Sequence, residues 1–410
     1  MSVPSTQAAA GTDALKPPAT RIASIDLIRG AVMILMAIDH VRVYAGIPAG
    51  GPTPGVFFTR WITHFCAPAF IFLAGTSIFF YGRKHSDVSR FLLLRGAWLI
   101  ALEFTVLRLA WTFNFDFMHY EMAGVIWVIG ICMILMAGLV KLPLKVVGAI
   151  GVAIIALHNL MDPHMGKLLE GLDQSRISGL WKLFYVGFFA GPIQFGPNGP
   201  NLIVLYSIIP WIGVMAAGYA FGTILLLAPS RRNRLCLIIG LSAIGLFLVL
   251  RGLNFYGDPR PWHYPVPGHG SQSMPAALSF LNTSKYPASL LFLLMTLGPI
   301  IALIPLLEGA RGAIARTIAI FGRVPFFFYV LHIPLIHVLA LVVSKIRFGM
   351  VNPWLFTNHP MGNPEPPEGY MWNLPLLYLV WAITIALLYF ACRWFADFKA
   401  RRNDGWLKYV

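Results

Sequence analysis

Charge is what this chain has least of. Asp and Glu together number 16 in 410 residues, and charged residues of both signs make up only 11%. A soluble domain carries roughly 25%. So few charges cannot cover a water-facing surface, and 58% of the residues are hydrophobic, with a mean hydropathy of +0.71. Most of the surface must therefore face lipid. Cysteine is scarce too, with four residues. Cys66, Cys132, Cys236 and Cys392 each lie in an apolar run without metal or redox spacing, so no disulfide framework is expected. No carboxylate-and-histidine cluster has zinc-ligand spacing, so no metal is expected. A Gly-rich phosphate loop and internal repeats are also lacking. Residues 1–23 have no apolar core, which predicts a disordered tail rather than a signal peptide. The net charge of +15 would suggest nucleic acid in a soluble protein. Here the basic residues sit in short connections between apolar runs, where they set topology instead, and no nucleic-acid partner is expected.

What is present is a succession of apolar runs. A membrane-spanning helix needs about 20 mostly apolar residues. Candidate spans lie near 24–46, 57–82, 91–110, 121–140, 144–160, 201–228, 233–256, 288–307, 315–344 and 374–396. The expected fold is an all-α polytopic membrane protein of about ten spans. Its transmembrane domain covers 24–397, between the 1–23 tail and a basic C-terminal tail at 398–410. Lys and Arg alternate in the connections. The N-tail, 83–90, 141–145, 231–234, 308–316 and the C-tail hold sixteen, and the intervening connections hold seven. That alternation predicts both termini on the cytoplasmic side of the inner membrane. The segment 179–195 is apolar but rich in Gly and aromatics, and reads as interfacial or re-entrant. The longer connections, 161–200, 257–287 and 345–373, all fall on the far side, where an extracytoplasmic acceptor would approach.

The first span, SIDLIRGAVMILMAIDHVRVYAG, carries Asp26, Arg29, Asp39, His40 and Arg42. Ionisable groups at this depth face the protein interior or a wet cavity. At about 100° per residue, Asp26, Arg29 and His40 share a face, with Arg29 and His40 about 16 Å apart along the axis. Arg42 points roughly 160° from His40 and Asp39 lies between, closer to Arg42. One reading is a polar seam in which Asp26–Arg29 and Asp39–Arg42 are ion pairs locking neighbouring helices. His40 argues for more, because a neutral imidazole accepts a proton near neutral pH. In the second span Arg60 and His64 share a face, and His64 lies at a depth similar to His40. Pro68 is expected to kink that helix and free the His64 carbonyl. Tyr329 and His332 can share a face in the ninth span. Arg95, Glu103, Arg108, Arg251, Arg323 and His337 each read more simply as structural.

The stretch 21–40, RIASIDLIRGAVMILMAIDH, resembles the opening of the transmembrane acyltransferase superfamily. Arg29 and His40 match the Arg-Gly and His spacing of its cell-wall branch. FFTRWITHFCAPAFIFLAGTS (57–77), YSIIPWIGVMAAGYAFG (206–222), FLNTSKYPASLLFLLMTLGP (280–299) and FGRVPFFFYVLHIPLIH (321–337) are similar to the bacterial branch that carries a heparan-alpha-glucosaminide N-acetyltransferase catalytic domain. The resemblance implies transfer of an acetyl group from cytoplasmic acetyl-CoA to a sugar or glycan across the membrane. The lysosomal relative places its catalytic His in the segment after helix 1. No His occurs here between Val41 and Thr63, so His40 and His64 both stand as the base. On this reading Arg29 contacts the donor, and His40 takes the acceptor's proton or carries the acyl group. His64 orients the acceptor, and Arg60 stabilises the oxyanion. Asp26 holds Arg29, and Asp39 holds Arg42. Arg42, Lys285, Tyr329 and His332 contribute to binding, and Lys285 also reads as an interface anchor. Membrane lipid is a partner, and a homodimer is compatible with the chain. The rival readings are a transporter or flippase for a lipid-linked glycan or anion, and a structural partner in an envelope-synthesis complex.

Overall fold

The computed structural model describes residues 22–50, 53–162, 176–262, 275–361, 364–402 and 407. The expected N-terminal tail lies outside the described residues except for Ile22 and Ala23, as does the C-terminal tail beyond Arg402 except for Leu407.

The described residues are mostly helical. The helices are α1 (Ala23–Tyr44), α2 (Pro54–Trp61), α3 (Cys66–Gly82), α4 (Val88–Leu102), α5 (Arg108–Thr112), α6 (Val125–Leu139), α7 (Leu144–Leu157) and α8 (Arg176–Trp181). They continue with α9 (Ile208–Phe221), α10 (Pro229–Leu253), α11 (Ala276–Leu281), α12 (Leu290–Leu307), α13 (Ala313–Arg323), α14 (Pro325–Phe348) and α15 (Leu374–Arg401). Side-chain caps start several of them: Thr53, Ser289 and Asn373 accept from the backbone N–H three residues on. Seven helical stretches are long and apolar enough to cross a membrane, namely Pro54–Gly82, Leu144–Met161, Ile208–Leu226, Pro229–Leu253, Leu290–Leu307, Pro325–Phe348 and Leu374–Arg401. The protein is a multi-pass membrane protein. Helix α6 is apolar but shorter, while α1 and the α4–α5 run carry the embedded charges.

Three details depart from a plain row of spans. A small sheet joins β1 (Glu121–Ala123), β2 (Ile193–Gln194) and β3 (Asn201–Val204), with β3 central, parallel to β1 and antiparallel to β2. The apolar runs at 121–140 and 201–228 therefore open on strands. The run at 315–344 is broken at Val324, whose backbone (φ −131°, ψ 51°) leaves the helical region just before Pro325. Proline crowds the preceding residue out of the α region and opens the next helix well. Residues 62–65 tighten into a 3₁₀ turn between α2 and α3, because Pro68 has no N–H to offer the His64 carbonyl.

Helix α1 is central, packed on α3, α12, α13, α14 and α15. Its close contact with α13 is set by two glycines. A Cβ on Gly30 would fall 1.9 Å from the Ile318 carbonyl oxygen, and one on Gly322 would fall 1.9 Å from that of Asp26. Small residues let helix backbones touch where water supplies no driving force. Gly30→Val is therefore expected to force α13 off α1 and lower the thermal unfolding midpoint in detergent; an unchanged midpoint would show that the contact is dispensable. Polar side chains hold α1 along its length. Cys66 Sγ meets the Val32 carbonyl at 3.2 Å, Trp381 Nε1 donates to Ile34 O at 2.9 Å, and Tyr44 donates to Trp111 O at 2.8 Å.

Candidate functional site

Two side-chain clusters and one cavity meet around α1. The first cluster is a pair of imidazoles. His40 Nδ1 lies 2.5 Å from His332 Nε2. The His332 Nδ1 atom faces the carbonyls of Tyr329 at 2.6 Å and Phe328 at 3.2 Å. A carbonyl only accepts, so His332 Nδ1 carries a proton and Nε2 of the neutral ring accepts. His40 must then donate from Nδ1, which leaves its Nε2 with a free lone pair. Trp111 of α5 meets the His40 ring edge-on at 4.8 Å. His332 is fully buried and its ring also packs on Tyr329.

The second cluster begins one residue earlier. Asp39 accepts from Arg42 Nε at 2.8 Å and from Arg60 Nη1. Arg42 also donates to Ile47 O at 2.5 Å, closing the end of α1. Arg60 donates from Nη2 to the Tyr286 hydroxyl at 3.2 Å. Lys285, buried just before α12, places Nζ 5.2 Å from the Tyr286 ring centre and 5.8 Å from that of Tyr206. Burial, and then the neighbouring Arg60 guanidinium, hold its ammonium below the usual lysine range.

The cavity, about 400 Å³ in volume, lies among α1, α3, α4, α6 and α14. It is mostly apolar. Its cations are Arg29, Arg95 and Lys399, and Met33 and Tyr329 also line it. Arg29 donates from Nη2 to Ser77 Oγ at 2.5 Å and to Leu73 O at 3.4 Å. Tyr329 thus lines the cavity and holds His332 with its carbonyl.

The structure redistributes the residues singled out in the sequence. It brings Asp39, His40, Arg42, Arg60, Lys285 and His332 around the last turns of α1, and places Arg29 and Tyr329 in the cavity. Asp26 is elsewhere: it lines a separate pocket against α13 with Arg311, Arg316 and Arg323. His40 is paired with His332, not with His64. His64 is buried against Phe292 with Nδ1 unpartnered. Lys285 is an interior group, not an interface anchor. Trp111, Tyr206 and Tyr286 were not visible as site residues, since a single aromatic in an apolar run carries no periodicity of its own. Lys399 reads in sequence as one more topogenic charge. Among the described residues no three His, Cys, Asp or Glu side chains gather to hold a metal ion.

The family model for the heparan-alpha-glucosaminide N-acetyltransferase catalytic domain matches residues 21–256, more than half of the chain. The chain belongs to this family. Membership makes it a membrane acetyltransferase by class. The matched region contains Arg29, Asp39, His40, Arg42, Arg60 and His64, whereas Lys285, Tyr329 and His332 follow it. Among curated proteins no match to the chain is found.

Proposed function

We propose that this family member moves an acetyl group from cytoplasmic acetyl-CoA to a hydroxyl or amine of a sugar or glycan on the opposite face of the inner membrane. The observation that carries the proposal is the cavity lined by Arg29, Arg95 and Lys399, which backs through Tyr329 onto the His332–His40 pair. Three cations on a mostly apolar wall suit a thioester whose other end bears phosphates. Lys399 belongs to the end of α15 and Arg29 to the start of α1, so both chain ends reach one cavity. This supports ten spans with both termini cytoplasmic: the seven apolar stretches, α6, and the charge-bearing α1 and α4–α5.

In this mechanism Nε2 of His40 takes the proton of the acceptor hydroxyl or amine as that atom attacks the thioester carbonyl. The carbon–sulfur bond breaks, the acetyl group passes to the acceptor, and the thiolate recovers the proton from His40. No acyl-enzyme is required. Asp39, through Arg42 and Arg60, fixes the turn that carries His40. Arg60 stays committed to Asp39 and Tyr286, and His64 lines the acceptor side.

The test uses the purified full chain in lipid nanodiscs with radiolabelled acetyl-CoA and a panel of amino and neutral sugars. Saturable acetyl-CoA binding and label on at least one sugar are expected. A protein that binds no acetyl-CoA would instead be a transporter or a structural partner. Filling the cavity provides an internal control. Ala74→Trp, which places an indole in the lined space, is expected to raise KM for acetyl-CoA by about tenfold or more with a smaller change in kcat. An unchanged KM would place the donor elsewhere.

A further inference from the structure

The cluster around Asp39 does not balance its charge. Arg42, Arg60 and Lys285 bring three cations to one carboxylate. Arg42 is 7% exposed and Lys285 8%. Asp39 is shared by the two arginines, so Lys285 has no carboxylate within ion-pair distance among the described residues and rests on the faces of Tyr206 and Tyr286. The carboxylates that flank it in sequence, Asp258 and Glu308, are already engaged. Glu308 pairs with Arg232. Asp258 accepts from the Ser284 N–H at 2.7 Å and the Ser289 hydroxyl at 2.8 Å, and lies 3.9 Å from Arg251. Buried charge without a counter-charge is costly, and a protein retains it where a ligand supplies the missing sign. A buried group of the same cluster is unsatisfied. His64 Nδ1 has no partner, and Arg60, Lys285 and Asp39 are the charges that act most on that ring.

We propose that Arg60, Lys285 and the Asp39–Arg42 pair form a site for an oxyanion, a phosphate or carboxylate, carried by the acceptor and seated one residue from His40. The oxyanion pairs with Lys285 beside the Arg60–Asp39 pair, and His64 Nδ1 hydrogen-bonds the same ligand. Lys285 is then a specificity residue: it selects charged acceptors over neutral ones of the same ring. That the ligand is an acceptor rests on the acetyl-transfer reading. That the site takes an anion does not.

The experiment compares matched sugars on the full chain in nanodiscs of phosphatidylcholine, which has no net charge. The pairs are glucosamine 6-phosphate against glucosamine, and glucuronic acid against glucose. Affinity is read by ligand-induced shift of thermal unfolding, and acetyl transfer is followed in parallel. The charged member of at least one pair is expected to bind about tenfold tighter or more. Lys285→Gln should bring that ratio close to one, and Lys285→Arg should restore it. Equal affinity within both pairs overturns the proposal, as does a preference that survives Lys285→Gln. The wild-type comparison decides alone if that variant does not fold. Preference lost when phosphatidylglycerol is added assigns the site to a lipid headgroup and overturns the acceptor assignment. Charged-sugar preference without transfer keeps the anion site and removes the acetyltransferase mechanism. Transfer without preference does the reverse.

Discussion

His40→Ala is expected to lower acetyl transfer by about 10²- to 10⁴-fold while acetyl-CoA still binds. The size follows from what is removed. His40 offers the lone pair of Nε2, and its own Nδ1 is spent on His332. The donor cavity is lined by Arg29, Met33 and Tyr329, not by His40, so KM for acetyl-CoA should change little. The partner histidine refines the test. His332→Phe keeps a ring in the buried space but removes the acceptor, leaving the His40 tautomer unfixed. Transfer should fall, and its pH profile should move. His332→Gln offers a carbonyl oxygen to the Nδ1–H of His40 and should recover part of the loss. A merely structural His332 would give the same pH profile in all folded variants. Full transfer in His40→Ala would remove this residue from the chemistry and return His64 to consideration.

Much of this arrangement was legible in the sequence, for reasons that are physical. Charges are rare in apolar runs, so Arg29, Asp39, His40, Arg42 and Arg60 stood out where they lay, and helical spacing placed Arg29 and His40 on one face. The Asp39–Arg42 pair follows from an i, i+3 separation alone and is present at 2.8 Å. Contacts between distant helices were not legible. His40 and His332 are 292 residues apart, and periodicity within one helix gives no register against another. His40 and His64 were read at a similar depth, but depth leaves rotation about the axis open. Asp26, three residues from Arg29, sits at the edge of the same stripe, and the close approach of α13 at Gly30 and Gly322 places it in the pocket on that edge. The break at Val324 was signalled by Pro325, but the apolar composition runs through it unchanged.

Asp39→Asn is expected to destabilise the protein by about 3–5 kcal/mol, the usual cost of removing one partner of a buried ion pair. The side chains involved are largely withdrawn from solvent, at 9% exposure for Arg42, 12% for Arg60 and 15% for Asp39. An asparagine retains one acceptor for the two arginines but no charge, so three cations would face one another unopposed. Unfolding titrations in mixed detergent micelles measure the loss, and acetyl transfer should fall with it as the turn carrying His40 loosens. A second substitution separates charge from packing. If excess positive charge is the problem, Lys285→Gln should recover part of the stability lost in Asp39→Asn, whereas losses from unrelated packing defects would add. Simple additivity of the two changes would show that Lys285 and Asp39 do not share one electrostatic cluster, and the charge imbalance beside His40 would lose its meaning.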